Sequence, residues 1–327
     1  MSQAIARRVA VLLALGLALG ACGAPATSPA PTAAPTLEPT TVPISPPAQP
    51  VEAVDGAGRT IRLPFPAQRI VSLAPSNTEI VYAIGAGAQL VGRDEFSDYP
   101  EAARLLPSIA TGMGKLNTEA VVALKPDLIL AAEITAPDQV ETLRGLGLTV
   151  FVVTNPDDFE GLYNNVLVVG TMCGRDAEAQ SLANELRDRV NAVGEKISTA
   201  STTPRVFYEL DGTDPTKPWT SGPGTFLDLL IRAAGGTNVG AVLSSEFAQI
   251  SSEEIVEQNP QVILLGDTAY GTTVESVIAR PGWGAMTAVT QGAVHPFDDN
   301  LVSRPGPRMV DGLELMARLI HPGLFTP

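Results

Sequence analysis

The residues Asp176–Ile197, DAEAQSLANELRDRVNAVGEKI, form a proline-free stretch in the middle of the chain. Ala179, Leu182, Leu186, Val190, Val193 and Ile197 recur at steps of three and four, which places them on one face of an α-helix. Glu178 and Glu185 come early and Lys196 late, the charge order that the helix macrodipole favours. At 1.5 Å per residue such a helix is about 33 Å long, the span of a small domain. Strand-and-helix patterns lie on both sides of it, so it is expected to be a spine joining two lobes.

On its N-terminal side, residues 69–74 read as a buried strand, followed by a helix at 78–84 and a short strand at 89–92. Residues 95–100 are a loop with two aromatics, leading into a short helix. Helices at 117–124, 137–146 and 159–172 then alternate with strands at 127–131 and 148–153, and Gly174 is the expected helix stop. On the C-terminal side, strands are expected at 205–210, 261–266 and 293–297. Helices are expected at 224–233, 252–258, 274–279 and 307–319. Strands alternating with helices in this way imply a parallel sheet covered on both faces. One internal match links the halves: NTEAVVALKPDLILAAE from Asn117 aligns without gaps on SSEEIVEQNPQVILLGD from Ser251. It reads as the same helix–turn–strand unit used once per lobe.

The chain has 327 residues, enough for two domains with a core each, and a formal charge of −14 that argues against a nucleic-acid partner. Residues 1–22 read as a signal peptide, with Arg7 and Arg8 before an apolar run at 9–19 that is too short to span a membrane. The following Leu19-Gly20-Ala21-Cys22 resembles a lipobox, which implies cleavage before Cys22 and lipidation of that cysteine. Residues 23–50 contain nine prolines among Ala, Thr and Ser, the composition of a tether rather than a core. The expected location is therefore extracytoplasmic, anchored by lipid to the cell membrane. Cys173 is the one other cysteine, so no disulfide within the chain is expected, and a small buried hydrophobe is its expected role.

RIVSLAPSNTEIVYAIG, the SDYP loop, LNTEAVVALKPDLILAA, TSGPGTFLDLLIRAAGGTN and the terminal SRPGPR helix together resemble the cobalamin and ferric-siderophore receptors of ABC importers. The resemblance covers about residues 70–322. It implies an α/β fold of two Rossmann-like lobes, at 51–175 and 199–327, bridged by a single long helix at 176–198. It also implies a monomer that clasps a small-molecule ligand between its lobes and delivers it to a permease dimer. No cofactor is expected; the ligand is a corrinoid or an iron chelate.

Carried over position by position, the ligand-binding candidates are Ser76, Asn77, Phe96 and Met113 in the first lobe. In the second they are Tyr208, Trp219, Phe247, Asn300 and Arg304. Aromatic faces suit a large, flat, partly apolar ligand that a few polar groups orient. For Tyr208 and Phe247 core packing is an equal alternative, whereas Phe96 and Trp219 stand in polar surroundings. Cobalamin receptors often carry tryptophan where this chain has Met113, Ala132 and Phe247. Ferric siderophores are commonly anionic and call for arginines. Arg93, Arg304 and Arg308 are available, although a surface or salt-bridged role is the expectation for Arg93 and Arg308. The chain has two histidines, too few for a bare transition-metal receptor, and heme would need Tyr208 or His295 as axial ligand.

The resemblance further implies a permease-docking glutamate on each lobe, and the internal match places Glu119 and Glu253 equivalently. Acidic residues are also favoured in a first helical turn, so capping is the other reading. An enzyme is not expected. Gly114-Lys115 lacks the earlier glycine of a P-loop, Thr220-Ser221-Gly222 lacks that of a nucleophile elbow, and Gly85-Ala86-Gly87 lacks a third glycine. A packed helix crossing between lobes should also limit how far they close.

Overall fold

A computed structural model describes residues 49–110 and 115–325. The expected signal peptide, Cys22, the tether as far as residue 48, and Met113 lie outside the described residues. An antiparallel hairpin, β1 (Val51–Val54) and β2 (Thr60–Leu63), opens the first lobe. The lobe is then built from β3 (Ile70–Ser72), α1 (Pro75–Ala83), β4 (Leu90–Arg93), α2 (Thr118–Ala123), β5 (Leu128–Ala132), α3 (Pro137–Gly145), β6 (Val150–Val153) and α4 (Phe159–Cys173). Its strands form a parallel sheet in the order β4-β3-β5-β6. Side chains alternate across the sheet with the strand's period of two. Leu128 and Leu130 pack with Ile80 of α1 and Val166 of α4, while Ile129 and Ala131 pack with Val121 of α2 and Leu143 of α3.

Helix α4 ends on Gly174, whose φ of 66° lies in the left-handed region that glycine enters without a Cβ clash. The spine, α5 (Asp176–Ile197), starts two residues later and covers the expected stretch. Ala179, Ala183, Leu186 and Val193 are its buried residues, and Leu182, Val190 and Ile197 are partly buried beside them. Gly170 of α4 lies so close to Ala179 that any Cβ there would collide with it, which is how the two helices approach closely. Cys173, at the end of α4, is buried, and burial pushes its thiol up to about 12.

The second lobe contains β7 (Arg205–Glu209), β8 (Trp219–Ser221), α6 (Phe226–Ala233), β9 (Thr237–Asn238), β10 (Phe247–Gln249), α7 (Ser252–Gln258), β11 (Val262–Leu265), α8 (Val274–Ile278), α9 (Thr287–Thr290), β12 (Val294–Pro296) and α10 (Met309–Ile320). Its parallel sheet runs β9-β7-β11-β12, the order of the first lobe with β7 in the place of β3. Phe207, Ile263 and Leu265 face Ile255 of α7, Val277 of α8 and Trp283. Val206, Tyr208 and Leu264 face α5, α6 and α10. One hydrophobic core thus continues from α1 and α4 through α5 into α6 and α10. Arg189 of α5 also reaches α10, at 2.9 Å to Glu314 and 2.5 Å to Asp311.

The structure departs from the sequence expectations at the start of α1 and in several unexpected elements, helix α9 among them. Helix α1 begins at Pro75, not at residue 78, because proline's fixed φ suits a first helical position; Ser76 and Asn77 are therefore in its first turn. The hairpin β1–β2, the short strand β9 and the antiparallel ribbon β8–β10 are additional. All are strands of two to four residues, too short for periodicity to reveal.

Candidate functional site

Residues that follow the carboxyl ends of the strands in both sheets line one cavity of about 690 Å³. This is where open parallel α/β sheets place ligands, since the loops leaving the strands diverge there. Leu73 to Ser76 follow β3, Asp94 to Phe96 follow β4, and Glu133 to Thr135 follow Ala132, the last residue of β5. Leu210 follows β7, while Phe247, Asn300 and Arg304 also face the cavity from the second lobe.

Of the candidates within the described residues, Ser76, Phe96, Phe247, Asn300 and Arg304 line this cleft. Phe96 is 57% exposed in a loop fixed by Asp94, whose carboxylate accepts hydrogen bonds from the Phe96 amide and the Ser97 hydroxyl. Burial raises the Asp94 pKa, with those two hydrogen bonds acting against the rise. Phe247 on β10 packs at a tilt against Phe226, ring centroids 6.4 Å apart. Arg93, beside this loop, donates to the carbonyls of Ala103 and Asp94 and serves as a brace for the turn.

Three candidates stand elsewhere. Asn77 is fully buried and its Nδ2 donates to the carbonyl of Ala131 at 3.0 Å, tying α1 to the end of β5. Tyr208 is also fully buried; its hydroxyl donates to Asp299 Oδ1 at 2.8 Å and its ring meets Phe297 edge-on. Burial first, then the Asp299 carboxylate, push the Tyr208 phenol well above its ordinary pKa. Tyr208 therefore stands behind the cleft wall and fixes Asp299, which lines it. Trp219 is exposed, but it belongs to the β8–β10 ribbon and does not line the cleft. His295, the other heme-ligand candidate, is half-buried on β12, and it too is absent from the lining.

Arg304 touches the cleft but its charge is already matched. Its Nη1 lies 2.5 Å from Asp98 Oδ1 and 3.8 Å from Glu79. Arg308 completes the group with bonds of 2.9 and 2.6 Å to Glu79 and a guanidinium 4.0 Å from the centre of the Tyr99 ring. Burial raises the Glu79 pKa, opposed by Arg308 and then Arg304. At Asp98 burial pulls upward as well, but the hydrogen bond and charge of Arg304 win and hold the carboxyl below its usual range. The first lobe supplies the carboxylates and the second the arginines, across more than 200 residues of sequence.

Two large, strongly exposed side chains on the lining were not among the candidates. Ile134, 86% exposed, follows β5, and Tyr270, 91% exposed, follows β11. Each is an apolar or aromatic side chain in an otherwise small or polar turn just past the strand of the repeated unit, a signal that could have been read in the sequence. The charged groups on the lining are Asp94, Glu95, Glu133 and Asp299 against Lys115 and Arg304. Among the described residues, no three His, Cys, Asp or Glu side chains are grouped to hold a metal ion.

Glu119 and Glu253 are exposed in the first turns of α2 and α7. The caps are made by their neighbours: Asn117 accepts from the Ala120 amide at 3.0 Å and Ser251 from the Glu254 amide at 3.1 Å. Capping thus leaves both glutamate side chains unused.

Residues 70–301 match the family described as "Periplasmic binding protein". A substrate-binding lipoprotein of an ABC transporter, YvrC of Bacillus subtilis (strain 168), itself described as uncharacterized, is 32% identical over 84% of this chain and 87% of its own. A protein of Halobacterium salinarum (strain ATCC 29341 / DSM 671 / R1) named "Cobalamin-binding protein" is 33% identical over 83% of this chain and 74% of that one. Among solved structures, the apo form of the periplasmic heme-binding protein RhuT from Roseiflexus sp. RS-1 superimposes with a TM-score of 0.71. It is 26% identical, covering 79% of this chain and 99% of that one.

Proposed function

Because this chain belongs to the periplasmic binding protein family, we propose that it is the lipid-anchored receptor of an ABC importer, and that it captures cobalamin or a related corrinoid. It acts as a binding protein rather than an enzyme, holding the ligand between its lobes and releasing it to a permease dimer. The observation that carries the choice of ligand is the charge of the cleft. Among the described residues four carboxylates stand on the lining against two cations, and Arg304 is paired with Asp98. An anionic ferric siderophore brought there meets net negative charge and an arginine it must first release, whereas a corrinoid edged with neutral primary amides does not. The Halobacterium relative named for cobalamin supports the same choice.

A second reading has one specific observation in its favour. Tyr270 is an almost fully exposed phenol on the cleft lining, and a tyrosine can be the axial ligand of heme iron. Calorimetric titration of the purified protein with cyanocobalamin, cobinamide, heme and a panel of ferric siderophores separates the readings. One-to-one binding of the corrinoids alone is the expected result. Binding of heme that Tyr270→Phe abolishes moves the assignment to heme, and binding confined to an anionic ferric chelate moves it to iron uptake.

The same reading assigns Glu119 and Glu253 to permease docking. Charge reversal at both should leave ligand affinity unchanged and reduce uptake. A parallel fall in ligand affinity contradicts the assignment.

A further inference from the structure

A second cavity, of about 720 Å³, lies within the second lobe at the carboxyl ends of β7 and β11. It shares Leu210 and Tyr270 with the cleft, so the two spaces adjoin at those residues. Asp211, Asp267, Thr213, Thr272 and Ser276 give it a lining of hydrogen-bond acceptors and hydroxyls. Among the described residues the one cation on the lining, Arg280, is buried and bound through both terminal nitrogens to the buried Glu209, one contact being 2.8 Å. Its charge is therefore matched before any ligand arrives.

Asp267 organises this cavity. It is 3% exposed, and its Oδ2 accepts from the Gly212 amide at 2.8 Å and from the Thr272 hydroxyl at 2.7 Å, which ties together the loops after β7 and β11. Its Oδ1 is buried and has no hydrogen-bond partner. A buried carboxylate oxygen without a donor is costly, and natural structures seldom leave one without a reason. Gly212 holds the loop close: a Cβ there would stand 2.3 Å from Glu209 Oε1 and 2.6 Å from Arg280.

We infer that this side cavity is a subsite for a hydrogen-bond-donating, uncharged arm of the ligand in the cleft, with a primary amide as the group that fits it. The inference rests on the corrinoid reading above and adds where one edge of the macrocycle sits. Asp211 and Asp267 repel a carboxylate or phosphate arm, while an amide N–H₂ supplies the donor that Asp267 lacks. Tyr270, on the wall common to both spaces, lies where a ligand occupying both would pass. Asp211 supports the same preference: hydrogen bonds from Thr213 hold its carboxyl below the usual range, so it stays ionised.

The test is calorimetric titration of the full-length protein with cyanocobalamin and with its monocarboxylic derivatives, in each of which one peripheral amide is hydrolysed to the acid. At neutral pH one isomer should bind at least tenfold more weakly than cyanocobalamin. Asp267→Asn, which can turn its own N–H₂ toward the ligand, should weaken cyanocobalamin about tenfold and reduce the penalty on that isomer. Asp211→Asn, at an exposed position where folding is not at stake, should shrink the same penalty at least threefold. If every isomer binds like cyanocobalamin, and neither variant changes any affinity, the cavity holds only water and the subsite is wrong. If the unaltered protein binds no corrinoid, the ligand reading itself falls, and the subsite with it.

Discussion

The two lobes repeat one backbone down to individual hydrogen bonds, yet they finish it with different chemistry. Arg69 donates to the carbonyls of Leu124 and Lys125 at the end of α2, and Arg205 donates to those of Gln258 and Asn259 at the end of α7. The matched residues Lys125 and Asn259 both take positive φ, 49° and 46°, before the proline that opens the next strand. The β3–β5 and β7–β11 registers also correspond, Ile70 opposite Leu128 and Val206 opposite Val262. At the end of the matched strands the lobes part. The first has Leu73 on the cleft wall, and the second has the buried Glu209 with its partner Arg280. Architecture repeats because strand–helix geometry is generic; the strand ends differ because each residue there is fitted to its own surroundings.

The largest effect should come from this divergence. Arg280→Ala leaves Glu209 buried and unpaired, at a cost of about 3–5 kcal/mol in urea unfolding. Replacing both, Glu209→Leu with Arg280→Leu, makes the second lobe resemble the first and should recover most of that loss. A double variant no better than Arg280→Ala would break the correspondence with Leu73.

The matched arginines come next. Arg205→Ala should cost about 1–2 kcal/mol by loss of charged hydrogen bonds to helix-end carbonyls. Arg69→Ala should cost less, because Arg69 is exposed and water replaces its bonds. Equal losses in denaturant titrations would show that exposure is not what separates them.

Smaller again is the backbone term. Asparagine tolerates left-handed φ better than lysine, so Lys125→Asn should stabilise by about 0.5 kcal/mol. Asn259→Lys should destabilise by a similar amount, and calorimetric melting of the two variants checks the sign. The smallest effect concerns the ion pair between the lobes. The Asp98 carboxyl is held below its ordinary pKa, so the folded state releases this proton more readily than the unfolded chain. The pair therefore contributes fully above the unfolded value near 3.8 and fades as pH falls through the lower folded value. Asp98→Asn should be destabilising at pH 7 and neutral once that window is crossed, as read from melting curves across acidic pH.

Periodicity revealed the spine, Asp176–Ile197, because twenty-two residues give an amphipathic stripe six chances to repeat. It did not reveal the repeated α2–β5 and α7–β11 units; the gap-free internal match did, with a proline to mark each strand. Periodicity was also silent on the β8–β10 ribbon, where three-residue strands offer one alternation each. In the cleft, Phe96 was legible as an aromatic out of place in a polar loop, whereas Phe247 could not be told from core packing by sequence. The burial of Asn77 and Tyr208 behind the cleft was not legible, because a residue type does not disclose which way its side chain faces. Met113 lies outside the described residues.

The amino-acid sequence alone determined the class of fold, the crossing helix and the pairing of Glu119 with Glu253, since all three follow from local pattern and from one internal match. Tertiary structure decided the character of the cleft. Arg304 meets Asp98 from 206 residues away, Tyr208 turns inward onto Asp299, and Ile134 and Tyr270 stand exposed on the cleft lining. Such assignments depend on which charges are paired and which faces are covered, and pairing and covering exist only once distant segments have packed.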